Sequence, residues 1–434
     1  MQTQIFMVHK RHLGLRAPTV LAVGFALTIL VGALVLMLPV SAADGQITPF
    51  LDALFTAASA SCVTGLVTVS TAVHWSVFGK CVILLLIQIG GLGFMSVAAI
   101  ASFVLRRTIT LHERMVMSAG LNLSDGGGIV RLTRRVLFGT FIIEGTGAVL
   151  LSCRFVPHYG FPKGITMGVF HAVSAFCNAG FDLMGTPDDP FQSLIGWAED
   201  PLVNITLMAL IVLGGLGFFV WSDVWDKHSF CRLRLHTKIV LTATAGLLLF
   251  GFGWTLLFEW SNPATLGAFD TPHKLLAAAF ESVTLRTAGF NTIDLGALTG
   301  PSQAVSCLLM FIGGSPGSTA GGIKTVTAAV LVLTAISAFC GRTTVSAFGR
   351  TIAPRSIMNA VTLLMAGGVL CLVGACAIAG IEDAPFHQCL FEAVSAFGTV
   401  GVSMGLTPTL AAASRVILIV MMYMGRVGVL TLGV

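Results

Sequence analysis

The chain reads as an all-α polytopic membrane protein, with four tandem helix–pore-loop–helix repeats around a pseudo-fourfold central pore. Three observations predict this class. First, the 434 residues are 55% hydrophobic and only 10% charged, with mean hydropathy +0.92, against about 25% charged in a soluble domain. Second, one short pattern occurs four times, each copy ending in glycine. Third, each copy sits between two apolar stretches long enough to cross a bilayer, for which roughly 20 residues suffice.

The copies are Phe55-Thr-Ala-Ala-Ser-Ala-Ser-Cys-Val-Thr-Gly65, Phe170-His-Ala-Val-Ser-Ala-Phe-Cys-Asn-Ala-Gly180, Phe280-Glu-Ser-Val-Thr-Leu-Arg-Thr-Ala-Gly289 and Phe391-Glu-Ala-Val-Ser-Ala-Phe-Gly-Thr-Val-Gly401. Their glycines lie 115, 109 and 112 residues apart. That period is a whole structural unit, larger than a solenoid repeat. The basic start (Lys10, Arg11, Arg16) runs into an apolar stretch too long for a cleavable signal. Ten scattered cysteines form no metal-ligand spacing and read as small core residues.

The predicted spans are 18–38, 77–104, 136–156, 202–222, 238–258, 303–340, 358–380 and 414–434. Between the members of each pair lie apolar segments of about a dozen residues (50–62, 165–177, 273–286, 386–397), too short to cross and therefore re-entrant. The units are 17–105, 130–223, 236–341 and 355–434.

Charge sets the expected orientation. Lys10, Arg11, Arg16, Arg106, Arg107, Arg114, Arg131, Arg134, Arg135, Lys227, Arg232, Arg234, Lys238, Arg342, Arg350 and Arg355 fall on one side. These are 16 of 24 basic residues, so that side is cytoplasmic, with both termini, and the half-helices enter from outside. Twelve of 19 acidic residues fall on the outer side. They either form a cation-concentrating mouth or are merely polar loops. The net charge of +5 is thus a topology signal and not a nucleic-acid signal.

Backbone at membrane depth must be buried in protein or line a wet cavity. Glycine opens backbone conformations closed to other residues, and a ring of backbone carbonyls can replace the hydration shell of a potassium ion. Half-helix C-termini add partial negative charge. Thr399-Val400-Gly401 matches the start of the potassium-channel filter TVGYG, with Val63-Thr64-Gly65 a weaker echo. The competing reading, that these glycines only cap short helices, is weakened by the fourfold recurrence.

At these residues the chain resembles the Trk/Ktr/HKT superfamily of potassium transporters. The resemblance rests on Val63-Thr64-Gly65-Leu66, Asn178-Ala179-Gly180-Phe181, Arg286-Thr287-Ala288-Gly289-Phe290, Thr399-Val400-Gly401 with Val402, and the run Gly313-Gly314-Ser315-Pro316-Gly317-Ser318-Thr319-Ala320-Gly321-Gly322-Ile-Lys324. With its first repeat span starting near residue 18, the chain is similar to the KtrB-type translocating subunits. The resemblance implies K+ uptake, often Na+-dependent, with no organic cofactor. It also implies a homodimer in the bacterial plasma (inner) membrane, N-terminus cytoplasmic, and a cytosolic nucleotide-binding (RCK-type) regulatory ring as partner. Glycine at all four filter positions implies preference for K+ over Na+. The third copy is one residue shorter than the others, and the chain stops at Val434 where relatives continue, so a truncated C-terminus is expected.

The sixth span is broken by Gly313–Gly322, a run of five glycines, two serines, a threonine and a proline that unwinds a helix. It reads as a gate beneath the filter, against the alternative of a packing kink. Two sequence matches are decoys. Gly313-Gly-Ser315-Pro-Gly317 fits a nucleophile elbow but lacks the strand-turn-helix context, and Gly317 to Thr325 approaches a P-loop with its lysine one place late. Arg426 stands where the other repeats have Gly91, Gly215 and Gly314. It reads as a latch on the 313–322 loop or as an arginine snorkelling to the surface. Lys324 either repels cations or marks the interface. Arg286 is expected to pair with Glu281 or Glu392 behind the filter, as structural support. Three function classes follow: a potassium-translocating subunit, a sodium-coupled or less selective monovalent-cation transporter, and an intramembrane enzyme using Ser315. The shared orientation of the four repeats argues against inverted-repeat alternating access.

Overall fold

A computed structural model describes residues 17–93 and 129–428. The first unit holds α1 (Ala17–Leu36), α2 (Phe50–Ser61) and α3 (Val77–Leu92). The second holds α4 (Ile129–Tyr159), α5 (Phe161–Phe176), α6 (Pro201–Leu216) and α7 (Phe218–Lys227). The third holds α8 (Leu235–Glu259), α9 (Thr271–Thr284), α10 (Gly300–Phe311) and α11 (Thr325–Phe339). A hairpin of β1 (Ser346–Ala347) and β2 (Arg350–Thr351) leads to the fourth, with α12 (Pro354–Ile381), α13 (Phe386–Gly398) and α14 (Ala412–Val427).

The first helix of each unit is long and apolar enough to span a membrane: Thr19–Leu36, Thr133–Tyr159, Leu235–Glu259 and Pro354–Ile381. These helices carry large apolar side chains on their outer surfaces, among them Leu27, Phe138, Leu249 and Met365. Such surfaces suit lipid, where a helix satisfies all its backbone groups internally. Their starts, with Arg134, Arg135, Arg234, Lys238 and Arg355, share one end of the bundle. There the hairpin, α8, α11 and α12 pack on a small core of Ile239, Val330, Val345, Ala347, Ile352 and Ala360.

The half-helices α2, α5, α9 and α13 form where the sequence places short apolar segments. Each lies in the protein interior, with Phe55, Phe170, Phe280 and Phe391 buried. The second helices are shorter than the predicted spans. Helices α3, α6 and α14 run 16 residues each and end at Gly93, Gly217 and Gly428, with φ of 81°, 95° and 91°, a backbone region that favours glycine. The span expected at 202–222 is therefore not straight: the chain bends 92° at Gly217 into α7. Span 303–340 is two helices separated by residues 312–324. The distal parts of 77–104 and 414–434, with Arg106, Arg107 and Arg114, lie outside the described residues.

The units close into a ring. Each inner helix packs on the half-helix of the next unit: α3 on α5, α6 on α9, α10 on α13, and α14 back on α2. An ion pair marks the last seam. Arg415 on α14 donates from Nη1 to Asp52 Oδ1 on α2 at 2.7 Å, with both side chains largely buried. Thr68 Oγ1 also donates to Asp52 Oδ1, and Arg415 donates from Nε to the Leu410 carbonyl. Removing either partner strands the other. Arg415→Gln and Asp52→Asn are each expected to cost about 2 kcal/mol, the scale of a hydrogen bond to a charged group. The loss is read as a lowered thermal midpoint of the solubilised protein, and additive effects in the double variant would refute the coupling.

Candidate functional site: a four-glycine ring and the loop beneath it

Each half-helix runs into a loop with the same backbone signature. Val63, Asn178, Thr287 and Thr399 have φ of 58°, 59°, 68° and 51°; two residues on, Gly65, Gly180, Gly289 and Gly401 have φ of 97°, 68°, 87° and 95°. Left-handed conformations at β-branched residues are uncommon, and such strain concentrates at functional sites. Left-handed residues at every second position turn successive carbonyls toward one side.

The glycines meet in cyclic order. A Cβ built on Gly65 falls 2.6 Å from the Ala179 oxygen. One on Gly180 falls 2.8 Å from the Ala288 oxygen, and one on Gly289 falls 2.7 Å from the Val400 oxygen. One on Gly401 collides with the Thr64 oxygen, closing the circuit. Any side chain at these positions would strike the next unit's backbone. An external cavity of about 120 Å³ opens over the ring, lined by all four glycines together with Asp182, Asn291 and Ser403.

Four hydroxyls hold the loops, and the sequence reading missed them. Ser59 Oγ accepts from Gly65 N at 3.0 Å, and Ser395 Oγ accepts from Gly401 N at 3.2 Å. Ser174, Thr284 and Ser395 donate to the carbonyls of Phe181, Phe290 and Val402 at 2.7, 2.7 and 2.6 Å. The available signal was a Ser or Thr four residues after the phenylalanine in every copy. The Phe181, Phe290 and Val402 oxygens accept these bonds, and the Thr64, Ala179, Ala288 and Val400 oxygens lie beside the glycine of the neighbouring unit.

Residues 312–324 cross directly beneath. Gly313 N donates to the Ile323 carbonyl at 2.8 Å, pinching the loop at its base. Ser315 N and Thr319 N donate to the carbonyls of Gly215 and Gly214, and Phe218 N donates to the Gly317 carbonyl. Thr319 Oγ1 donates to Asn178 Oδ1 at 3.0 Å. Lys324 Nζ donates to the Ala320 carbonyl at 2.7 Å. Arg426 bridges two units below the ring. Its Nη1 donates to the Thr319 carbonyl, and its Nη2 donates to the Gly90 carbonyl and, at 3.3 Å, to that of Gly91. The half-buried arginine thus binds the loop at Thr319.

The expected Arg286 ion pairs do not form. Arg286 Nη2 donates to the Gly313 carbonyl at 3.2 Å and Thr325 Oγ1 at 2.9 Å, so it binds the lower loop. Glu392 instead accepts from Ser403 Oγ at 2.5 Å, Met404 N at 3.1 Å and Thr407 Oγ1 at 2.5 Å, bracing the outer loop. Glu281 is buried with neither carboxylate oxygen bonded. The reason is position: Arg286 lies past the C-terminal end of α9, where its guanidinium is spent on Gly313 and Thr325, while Glu281 sits on the last turn of the helix. Gly90, Gly214 and Gly425 leave room for carbonyls at the ends of the half-helices, those of Ser61, Phe176 and Phe397. Ser315 Oγ is buried with no hydrogen-bond partner, so no base activates it.

The family model described as "Cation transport protein", TrkH, matches residues 10–434. The chain is 43% identical over 414 residues to Ktr system potassium uptake protein B of Bacillus subtilis, covering 95% of this chain and 91% of that protein. It is 41% identical over 415 residues to potassium/sodium uptake protein NtpJ of Enterococcus hirae, covering 95% and 90%. In fold it is similar to the crystal structure of the potassium transporter TrkH from Vibrio parahaemolyticus, with a TM-score of 0.72 at 17% identity, over 98% of this chain and 85% of that one. The match along nearly the whole chain, on a ring of four pore-loop units, makes this protein a member of the TrkH family of cation transport proteins.

Proposed function

We propose that the chain carries potassium ions into the cell through the ring formed by Gly65, Gly180, Gly289 and Gly401. The observation that carries this reading is the closed circuit in which each glycine faces the carbonyl preceding the next. An ion stripped of water there meets four oxygens on strained backbone, in loops tied to their half-helices by the Ser59, Ser174, Thr284 and Ser395 hydroxyls. Preorganised carbonyls need no rearrangement to replace hydration water. Relatives named for potassium uptake support the choice of ion.

The loop from Gly313 to Lys324 acts as the gate and Arg426 as its latch. The guanidinium donates to carbonyls on both the loop and α3, so loop and ring move apart only when those bonds break. Lys324 and Arg286 hold the loop's two arms. The chain works in the bacterial inner membrane with its N-terminus inside, as a homodimer on an RCK-type nucleotide-binding ring. The charge asymmetry and the naming of relatives as Ktr system proteins favour that assembly. A second reading, transport of sodium with potassium, is favoured by the name of the Enterococcus hirae relative.

Expression in a potassium-uptake-deficient bacterium tests the reading: growth at low potassium should be restored, with rubidium uptake. Gly401→Ser places a side chain against the Thr64 oxygen at φ 95°. It is expected to lower rubidium uptake at least tenfold and to let sodium compete. Wild-type uptake and selectivity in this variant would remove the ring from the pathway. Deleting residues 314–321, or Arg426→Gln, is expected to raise uptake severalfold and to weaken its regulation. Unaltered flux in both would show that the loop is not a gate.

A further inference from the structure

Only two of the four ring glycines are fixed through their own amides. Gly65 N and Gly401 N donate to Ser59 and Ser395. Ser174 and Thr284 only donate, to the Phe181 and Phe290 carbonyls, so among the described residues the Gly180 and Gly289 amides lack this bond. The second and third loops are held instead at residues just before the ring. In the third loop this is Arg286, bonded to Gly313 and Thr325. In the second loop it is Asn178 and Cys177. Asn178 Oδ1 accepts from Thr319 Oγ1 of the lower loop. Cys177, three residues before Gly180, joins a buried polar cluster formed with α3 and α4.

The centre of that cluster is Glu144, near the middle of the spanning helix α4 and 5% exposed. An ionisable group at that depth is costly, and it points first to function. Gln88 Nε2 on α3 donates to both Glu144 oxygens at 3.2 Å. Cys177 Sγ lies 3.8 Å from Glu144 Oε1 and 3.7 Å from Gln88 Oε1, so its one proton serves either oxygen. A carboxyl accepts such bonds whether ionised or neutral, and the tether does not depend on its charge. The fit is tight: a Cβ built on Gly91 would fall 2.6 Å from Cys177 Sγ. The first unit alone carries an amide at this place. At the same offset before Gly215, Gly314 and Arg426 stand Val212, Phe311 and Tyr423. The tether therefore joins the inner helix of the first unit and the span of the second to the residue directly before Asn178, the left-handed turn of the loop at φ 59°.

We propose that Glu144 is a positioning residue for ion selectivity: with Gln88 it holds Cys177, and through Cys177 it fixes the second loop of the ring. The proposal rests on the pore reading. With the tether cut, the Ala179 oxygen beside Gly65 gains freedom, and the ring can close on an ion smaller than potassium. The test is rubidium uptake by the full chain in the potassium-uptake-deficient bacterium, with sodium as competitor. Glu144→Leu and Cys177→Ala should each lower the half-inhibitory sodium concentration by about threefold or more. Because both cut one tether, the double variant should go no further than the larger single effect. Glu144→Gln keeps an oxygen acceptor and should stay within about twofold of the wild type. Cys177→Ala removes only the thiol and decides the matter if Glu144→Leu does not fold. A fall in thermal midpoint or maximal uptake with wild-type sodium sensitivity would overturn the proposal, since packing alone predicts that result. So would a Glu144→Gln variant as sodium-sensitive as Glu144→Leu, which would make charge the cause. Gly401→Ser separates the two readings. If it raises sodium sensitivity while the cluster variants do not, the ring stands and this proposal falls; if it too leaves sensitivity unchanged, both fall.

Discussion

Everything in this structure follows from the need to hold irregular backbone at membrane depth. Lipid offers no hydrogen bonds, so each loop after a half-helix must find partners in protein or face a wet cavity. Four loops solve the problem jointly. Each places a glycine against the carbonyl preceding the next unit's glycine, and each binds its other polar groups to a Ser or Thr of its own half-helix. The ring requires all four units at once, which is why inner helices pack on neighbouring half-helices and why the Asp52–Arg415 pair sits where the last unit meets the first.

Below the ring the symmetry is broken in one unit. Three inner helices end at a positive-φ glycine, but the third unwinds from 312 to 324 and spends its backbone groups on other units. Gly214 and Gly215 accept from the loop, and Gly217 redirects the second unit by 92° so that Phe218 also reaches it. Arg426 replaces what is glycine elsewhere and fills the space with a guanidinium, whose donors suit carbonyls exposed by unwinding. Loop, bend and arginine are one interdependent arrangement.

The glycine loops, half-helices and broken span were legible because they are local: repeat register, segment length and glycine content are read along the chain. The structural hydroxyls were legible too, as the recurring residue four after each phenylalanine, but their meaning needed the loop to fold back. The Arg286 pairing was misjudged because Arg286 lies past the end of α9, where the loop at Gly313 and Thr325, distant in sequence, takes its guanidinium. The bend at Gly217 was hidden inside an unbroken apolar run, where hydropathy carries no directional information.

The sequence by itself determined that the chain crosses a membrane in four like units, that each unit carries a glycine loop, and that the third and fourth depart from the pattern. Composition and period suffice for those conclusions because lipid imposes them on any span. Tertiary structure alone decided which carbonyls face the ring, which cation holds which arm of the loop, and that Glu392 is satisfied while Glu281 is not. Those outcomes depend on how loops fold back on nearby helices, as at Glu392, and on contacts between residues a hundred or more positions apart, as between Arg426 and Thr319.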